Sequence, residues 1–221
     1  MSAEIPAGAR RLPVYLVLDT SGSMTGDPIE AVKMGLRSLV NDLQGDPQAL
    51  ETVWLSVITF DGTAKQVVPL TEMGAFQLPD IRIGTTTSLG AALTLLSQCI
   101  EREVKKTNPA AGQKGDWKPL VFIMTDGMPT DSWQRPAEDL KKKRPGNIIA
   151  CAAGPSADDK ILKQITEVVV KLHDCSPGTL GAFMAWVTAS VTTTSQSVAQ
   201  SGDAPVNLPP LPTDKGIQIV P

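Results

Sequence analysis

Val14-Tyr15-Leu16-Val17-Leu18-Asp19-Thr20-Ser21-Gly22-Ser23 decides how the rest of the chain is read. Five residues without a charge, ending in Asp, Thr, Ser and Gly, are too short for a helix. They fit a strand covered on both faces that stops at a polar turn. Asp27-Pro28-Ile29-Glu30 then reads as a helix start, with Asp27 as cap, Pro28 at the first helical position and Glu30 in the first turn. Ile29, Val32, Leu36, Leu39, Val40 and Leu43 recur at helical spacing, and Gly45 ends the run. Residues 52–60 form the next strand. Asp61-Gly62 signals a hairpin, and 64–68 is its antiparallel partner at the sheet edge. Leu89, Leu93, Leu96, Ile100 and Val104 mark a second amphipathic helix. Beyond a polar loop at 107–118, strands are expected at 120–124, 147–153 and 167–172, and helices at 132–143, 158–166 and 179–191. Strands alternating with helices predict an α/β fold. The expected form is a doubly wound, Rossmann-like, mostly parallel six-stranded sheet with one antiparallel edge strand and helices on both faces.

Composition narrows the function. The 221 residues carry a net charge of −3, which disfavours a dedicated nucleic-acid binder. No apolar run approaches the roughly 18 residues of a membrane span. The first residues lack the apolar core of a secretion signal, which fits the cytoplasm. His173 is the only histidine, so a site needing two from one chain is excluded. Cys99, Cys151 and Cys175 are widely spaced and odd in number, as expected for reduced thiols. From Thr192 the chain turns Ser/Thr/Gln-rich, and Leu208-Pro209-Pro210-Leu211-Pro212 is proline-rich. The expected organisation is a lead-in at 1–11, one domain at 12–195, and a tail at 196–221. The end of the tail, Gly216-Ile217-Gln218-Ile219-Val220, alternates like a short strand that could join a sheet edge.

Three segments should meet beyond the carboxyl ends of the strands, where open α/β sheets bind ligands. They are Asp19-Thr20-Ser21-Gly22-Ser23, Gly84-Thr85-Thr86-Thr87-Ser88-Leu89 and Thr125-Asp126-Gly127. They supply two carboxylates and at least three hydroxyls, all oxygen donors, which suits Mg²⁺ first and Mn²⁺ second. Asp and Ser are common where strands end, so DxSxS alone says little. The ordered coincidence of all three segments carries the reading.

These segments resemble the metal-ion-dependent adhesion site of von Willebrand factor type A domains, and the resemblance covers roughly residues 10–195. It implies that Ser21, Ser23 and Thr87 coordinate the cation through their hydroxyls, with Asp19 and Asp126 acting through bound water. It also implies a non-enzymatic, metal-dependent protein-binding adaptor in which an acidic partner residue completes the metal's octahedron. Aligning on Leu89-Gly90-Ala91-Ala92-Leu93 selects Thr87. Many relatives carry Gly-Gly before that threonine where this chain has Thr85-Thr86, which leaves the threonine register open by one residue. Asp126-Gly127-Met128-Pro129-Thr130-Asp131-Ser132-Trp133 is similar to the signature of bacterial TerY-like proteins of the tellurium-resistance branch. That narrower resemblance implies a stress-response adaptor partnered by a Ser/Thr protein kinase and a type 2C protein phosphatase. Its phosphoacceptor candidates are Thr87, Thr86 and Thr85. A phosphate would add about two negative charges beside the cation.

Other residues divide between function and packing. Trp133 reads either as an exposed partner anchor or as a packed residue at a helix start. Asp131, with Trp133 a candidate partner-binding residue, reads either as a supporting group for the site or as the cap of the helix that follows. Lys141-Lys142-Lys143-Arg144 reads as a solvated helix end. The alternative function is a Mg²⁺-dependent phosphatase-like hydrolase. Such an enzyme would want a second carboxylate two residues after Asp19, where this chain has Ser21. No phosphate-binding GxxxxGK[ST] loop is present.

Overall fold

Alternating side-chain direction along the first strand sets the two layers of the molecule. In the computed structural model, which describes residues 10–201 and 208–221, β1 spans Leu12–Asp19 and is buried along its whole length. Leu12, Val14, Leu16 and Leu18 join the core on one sheet face, while Tyr15 and Val17 join the core on the other. The remaining strands are β2 (Val53–Phe60), β3 (Ala64–Glu72), β4 (Leu120–Thr125), β5 (Asn147–Ala153), β6 (Val168–Leu172) and β7 (Ile217–Ile219). Their order is β3-β2-β1-β4-β5-β6-β7. β1 pairs parallel with both β2 and β4, so the winding reverses at β1 and leaves a crevice beyond the ends of β1 and β4. The expected six strands are present in a doubly wound sheet, with β3 antiparallel at one edge.

Helices cover both faces. On one side lie α1 (Asp27–Gly45), the short α2 (Pro47–Thr52) and α6 (Pro177–Ser201). On the other lie α3 (Leu89–Glu103), α4 (Gln134–Lys143) and α5 (Asp159–Ile165). α2 escapes the hydrophobic pattern because one turn and a half shows no period. Its Asp46 side chain caps it by accepting the Ala49 N–H at 2.9 Å. The basic run ends α4 as expected: Arg144 turns into the left-handed region, and Lys143 reaches Glu101 on α3.

The C-terminal third departs most from expectation. α6 runs ten residues past the expected end at 191, so the boundary placed at 195/196 falls inside a helix. Its Ser/Thr-rich stretch has poor intrinsic helix propensity. Packing holds it helical, and its hydroxyls are satisfied within the helix: Thr188, Ser190 and Thr194 each donate to the carbonyl four residues back, at 2.7–3.0 Å. Ser195 also pairs with Thr52 of α2 at 2.8 Å, and Val198 is buried. At the other end, residues 1–9 of the expected lead-in lie outside the described residues. Arg11 belongs to the domain, held by Asp116 and stacked over Trp54.

Residues 208–221 return to the domain as a strap. Leu208 and Leu211 pack against the core, and Trp186 Nε1 donates to the Pro209 carbonyl at 2.9 Å. β7 then adds antiparallel to β6, so the tail supplies a seventh strand and a second antiparallel edge. Ile217 is 0% exposed. Ile217→Ala is therefore expected to cost about 2–4 kcal/mol in denaturant unfolding. A change within about 0.5 kcal/mol, as for a surface residue, would contradict the strap's role in the core.

Candidate metal site

The carboxyl ends of β1 and β4 bring Asp19 and Asp126 to the crevice as buried carboxylates. Asp19 is held from both sides. Its Oδ1 accepts the Ser21 N–H at 2.8 Å, and its Oδ2 accepts the Thr125 hydroxyl at 2.5 Å. The turn after Asp19 brings Ser21 and Ser23 together, with their Oγ atoms 3.1 Å apart. Ser23 Oγ donates to Asp126 Oδ1 at 2.8 Å. Four of the five expected donors thus form one continuous chain of contacts.

The fifth, Thr87, arrives on the loop before α3. That loop is tied to its neighbours through the backbone. Gly84 N–H donates to Thr20 O at 2.8 Å, and Ser88 N–H donates to Asp61 O at 2.7 Å. On the far side, Thr130 N–H donates to Thr87 O at 2.9 Å, and Thr87 N–H donates to Thr130 Oγ1 at 3.2 Å. Glycine positions show where the three threonines aim. A Cβ on Gly127 would stand 3.4 Å from Thr87 Oγ1 and 3.9 Å from Ser23 Oγ. A Cβ on Gly62 would stand 3.2 Å from Thr86 Oγ1 and 3.7 Å from Thr85 Oγ1. The Thr87 hydroxyl therefore shares a neighbourhood with Ser23 and Asp126. Those of Thr85 and Thr86 lie over the β2–β3 turn. Thr87 is buried, while Thr85, Thr86 and Ser23 are exposed.

Two expected partner-binding residues do structural work instead. Trp133 is 9% exposed and belongs to the core under α3 and α4, so it is no surface anchor. Asp131 caps a helix, but not the one that follows it. Its two carboxylate oxygens accept the Gly90 and Ala91 N–H groups at 2.9 Å each, closing the N-terminus of α3. Ser88, the residue at α3's own cap position, makes no such side-chain bond. Thr125 and Thr130 were not singled out by sequence reasoning. Thr125 adjoins Asp126 and Thr130 lies in the Asp126–Trp133 stretch, but their roles depend on contacts across 106 and 43 residues of sequence.

Electrostatically the crevice is short of positive charge. Among the described residues, no lysine, arginine or histidine pairs with Asp19 or Asp126. Burial pushes the Asp19 carboxyl above its ordinary value, against the opposing bonds from Ser21 and Thr125. Burial, and then the charge of Asp19, push Asp126 up against its bond from Ser23. Burial and the charges of Asp126 and Asp174 raise the nearby Cys175 thiol to about 11. Among the described residues no group of three or more His, Cys, Asp or Glu is placed to hold a metal ion, so a cation here would depend on hydroxyl donors. Two buried carboxylates without a counter-charge, joined to three neutral hydroxyls, fit a hard divalent cation.

A doubly wound sheet with an oxygen-donor cluster at its switch point defines the class. The chain belongs to the von Willebrand factor type A domain family, whose model matches residues 14–174. Domains of this family are in general adhesion and interaction modules. An uncharacterized protein of Synechocystis is 48% identical over 125 residues, which is 53% of this chain and 26% of that protein. Proximal thread matrix protein 1 from the mussel byssus superposes with TM-score 0.60 at 19% identity, covering 84% of this chain and 49% of that one. A further structure of the mussel protein has a zinc-occupied MIDAS motif, and superposes with TM-score 0.58 at 19% identity over 84% and 48% of the two chains. The manganese-loaded TRAP protein of Plasmodium vivax superposes with TM-score 0.51 at 22% identity, covering 72% and 64%. This chain thus matches about a quarter of the Synechocystis protein and about half of the mussel protein. None of the described helices is long and apolar enough to cross a membrane.

Proposed function

We propose that this domain is a non-enzymatic, metal-dependent protein-binding module. The observation that carries the reading is the convergence of two buried, unpaired carboxylates with the hydroxyls of Ser21, Ser23 and Thr87. Those three hydroxyls, together with Asp19 and Asp126, would hold Mg²⁺ or Mn²⁺. Zinc and manganese at the corresponding motif of the mussel and Plasmodium proteins support a divalent cation here. Bound there, the cation supplies a Lewis-acidic position for an acidic partner side chain. The protein's own part is to orient the donors. Thr125 and Ser21 N–H fix Asp19, Ser23 links to Asp126, and Thr130 fixes Thr87. Ser21 standing where a phosphatase-like hydrolase would need a second carboxylate favours binding over catalysis.

The finer reading is a cytoplasmic TerY-like stress adaptor, served by a protein kinase and a type 2C phosphatase. Exposed threonines at the rim support it, because Thr85 and Thr86 are open to an enzyme whereas Thr87 is buried. The test is affinity capture from a bacterial lysate with Mg²⁺ or EDTA, followed by mass spectrometry and phosphosite mapping. Partners retained only in Mg²⁺ and lost with Ser21→Ala are expected. Equal capture in EDTA would overturn the metal bridge. Absence of a kinase, a phosphatase and any phosphothreonine would overturn the finer reading alone.

A further inference from the structure

Thr85, Thr86 and Thr87 follow one another before α3, and among the described residues the backbone of Thr87 alone is held. Thr85 and Thr86 make no hydrogen bond there. Both backbone groups of Thr87 are engaged by Thr130: Thr87 N–H donates to Thr130 Oγ1 at 3.2 Å, and Thr87 O accepts Thr130 N–H at 2.9 Å. Asp131, the next residue, accepts the Gly90 and Ala91 N–H groups at 2.9 Å each. Ser132 and Trp133 then lie against the same turn. A Cβ on Gly90 would stand 2.5 Å from Ser132 O and 2.9 Å from Trp133 Cα. Trp133 is itself part of the core under α3 and α4. One short segment, rooted in a buried side chain, thus holds residues 87–91 from the side of β4.

Register matters here because successive side chains of an extended segment point to opposite sides. The Thr87 hydroxyl shares its surroundings with Ser23, whereas those of Thr85 and Thr86 lie over Gly62. A slip of one residue would carry Thr86 to the donors and withdraw Thr87. Side-chain chemistry does not oppose the slip, because both residues are threonines. The backbone does. A slip parts Thr130 and Asp131 from the N–H groups they accept, and unpaired groups in a partly buried site are costly. The two bonds to Asp131 are also strengthened by its charge. We infer that Thr130 and Asp131 are positioning residues that select Thr87 over Thr86 as the threonine ligand of the cation. This rests on the metal-bridged reading above and adds what sets the register of its third hydroxyl.

The experiment compares double variants of the full chain, with Mg²⁺ affinity read from melting temperature across a Mg²⁺ titration. In the wild-type background Thr87→Val should weaken binding by about tenfold or more. Thr86→Val should change it by less than about twofold. In a Thr130→Val background the two effects should converge, because either hydroxyl can then reach the site. Asp131→Ala should act in the same way. Thr130→Ser keeps the accepting oxygen and should restore the contrast. Amide hydrogen exchange in EDTA gives a readout that needs no metal. The Thr87 amide in Thr130→Val, and those of Gly90 and Ala91 in Asp131→Ala, should exchange about tenfold faster, while β1 and β4 keep their protection. A contrast that persists in both Thr130→Val and Asp131→Ala overturns the inference alone. So does unchanged protection of Thr87, failure of Thr130→Ser to rescue, or greater sensitivity at Thr86 than at Thr87 in the wild type. Outright loss of the Mg²⁺ response in Thr130→Val also overturns it, because Thr130 would then build the site and not choose between threonines. A wild-type Mg²⁺ response indifferent to Thr87→Val, Thr86→Val and Ser21→Ala overturns the metal-bridged reading and this inference with it.

Discussion

Asp19→Asn is expected to make the metal-free protein more stable and to abolish its response to Mg²⁺. Asp19 is buried beside Asp126 with no cationic partner among the described residues, and burial raises its proton affinity. A carboxyl whose folded value lies above its unfolded one contributes stability that is complete below the unfolded value. That contribution is lost as pH rises through the folded value. At neutral pH the metal-free site therefore opposes folding. Asparagine removes the charge and can keep the local bonds, accepting from Ser21 N–H and donating to Thr125 Oγ1. Mg²⁺ at a hundred times its dissociation constant should stabilise the wild type by about 2.7 kcal/mol. For a chain of this size that is roughly 5–11 °C in melting temperature. The rise should shrink as pH falls through the raised carboxyl values, because protons compete for the donors. Thermal melts of both proteins, with Mg²⁺ or EDTA at several pH values, test this. A Mg²⁺ response retained by Asp19→Asn, or an Asp19→Asn protein that melts below the metal-free wild type at neutral pH, would show that Asp19 is not part of a cation site.

Gly90→Ala should destabilise the domain although it replaces glycine with the best helix former. Propensity alone favours alanine by about 1 kcal/mol. The new methyl, however, would lie 2.5 Å from Ser132 O and 2.9 Å from Trp133 Cα. Those are backbone atoms of the segment that caps α3 through Asp131 and fixes Thr87 through Thr130, so they cannot rotate away. Overpacking of this kind costs about 1–3 kcal/mol, more than the propensity gain at its upper end. The expected net fall in melting temperature is up to about 8 °C, accompanied by weaker Mg²⁺ binding. Gly181 in α6 is the matched control, because a Cβ there meets nothing within 4 Å. Gly181→Ala should be neutral or stabilising, by up to about 1 kcal/mol. Equal effects of the two substitutions would mean that the contact between α3 and the Ser132-Trp133 backbone carries no strain.

Gly90 also explains the second half of the motif that runs from Asp126 to Trp133. Read as sequence, Asp131 and Trp133 pointed toward a partner. In the fold they serve the α3 terminus, and Met128 is the exposed large apolar residue of the stretch.

Local chemistry along the chain encodes most of the secondary structure and the donor set. Buried strands announced themselves as short apolar runs, the helices of the two layers as 3.6-residue periods, and the site as acidic and hydroxyl residues where two strands end. Those signals lie within a few residues of one another, so periodicity and turn chemistry carry them. Tertiary structure decided what depends on residues far apart in the chain. It turned the Thr87 hydroxyl toward Ser23 and Asp126, and those of Thr85 and Thr86 toward Gly62. It drew the cap of α3 from a loop forty residues away. It kept a Ser/Thr-rich stretch helical by packing it against the sheet and α2, and it turned an alternating tail into the seventh strand. In each case local preference was weak or ambiguous, and burial of an apolar side chain or satisfaction of a backbone group made the choice.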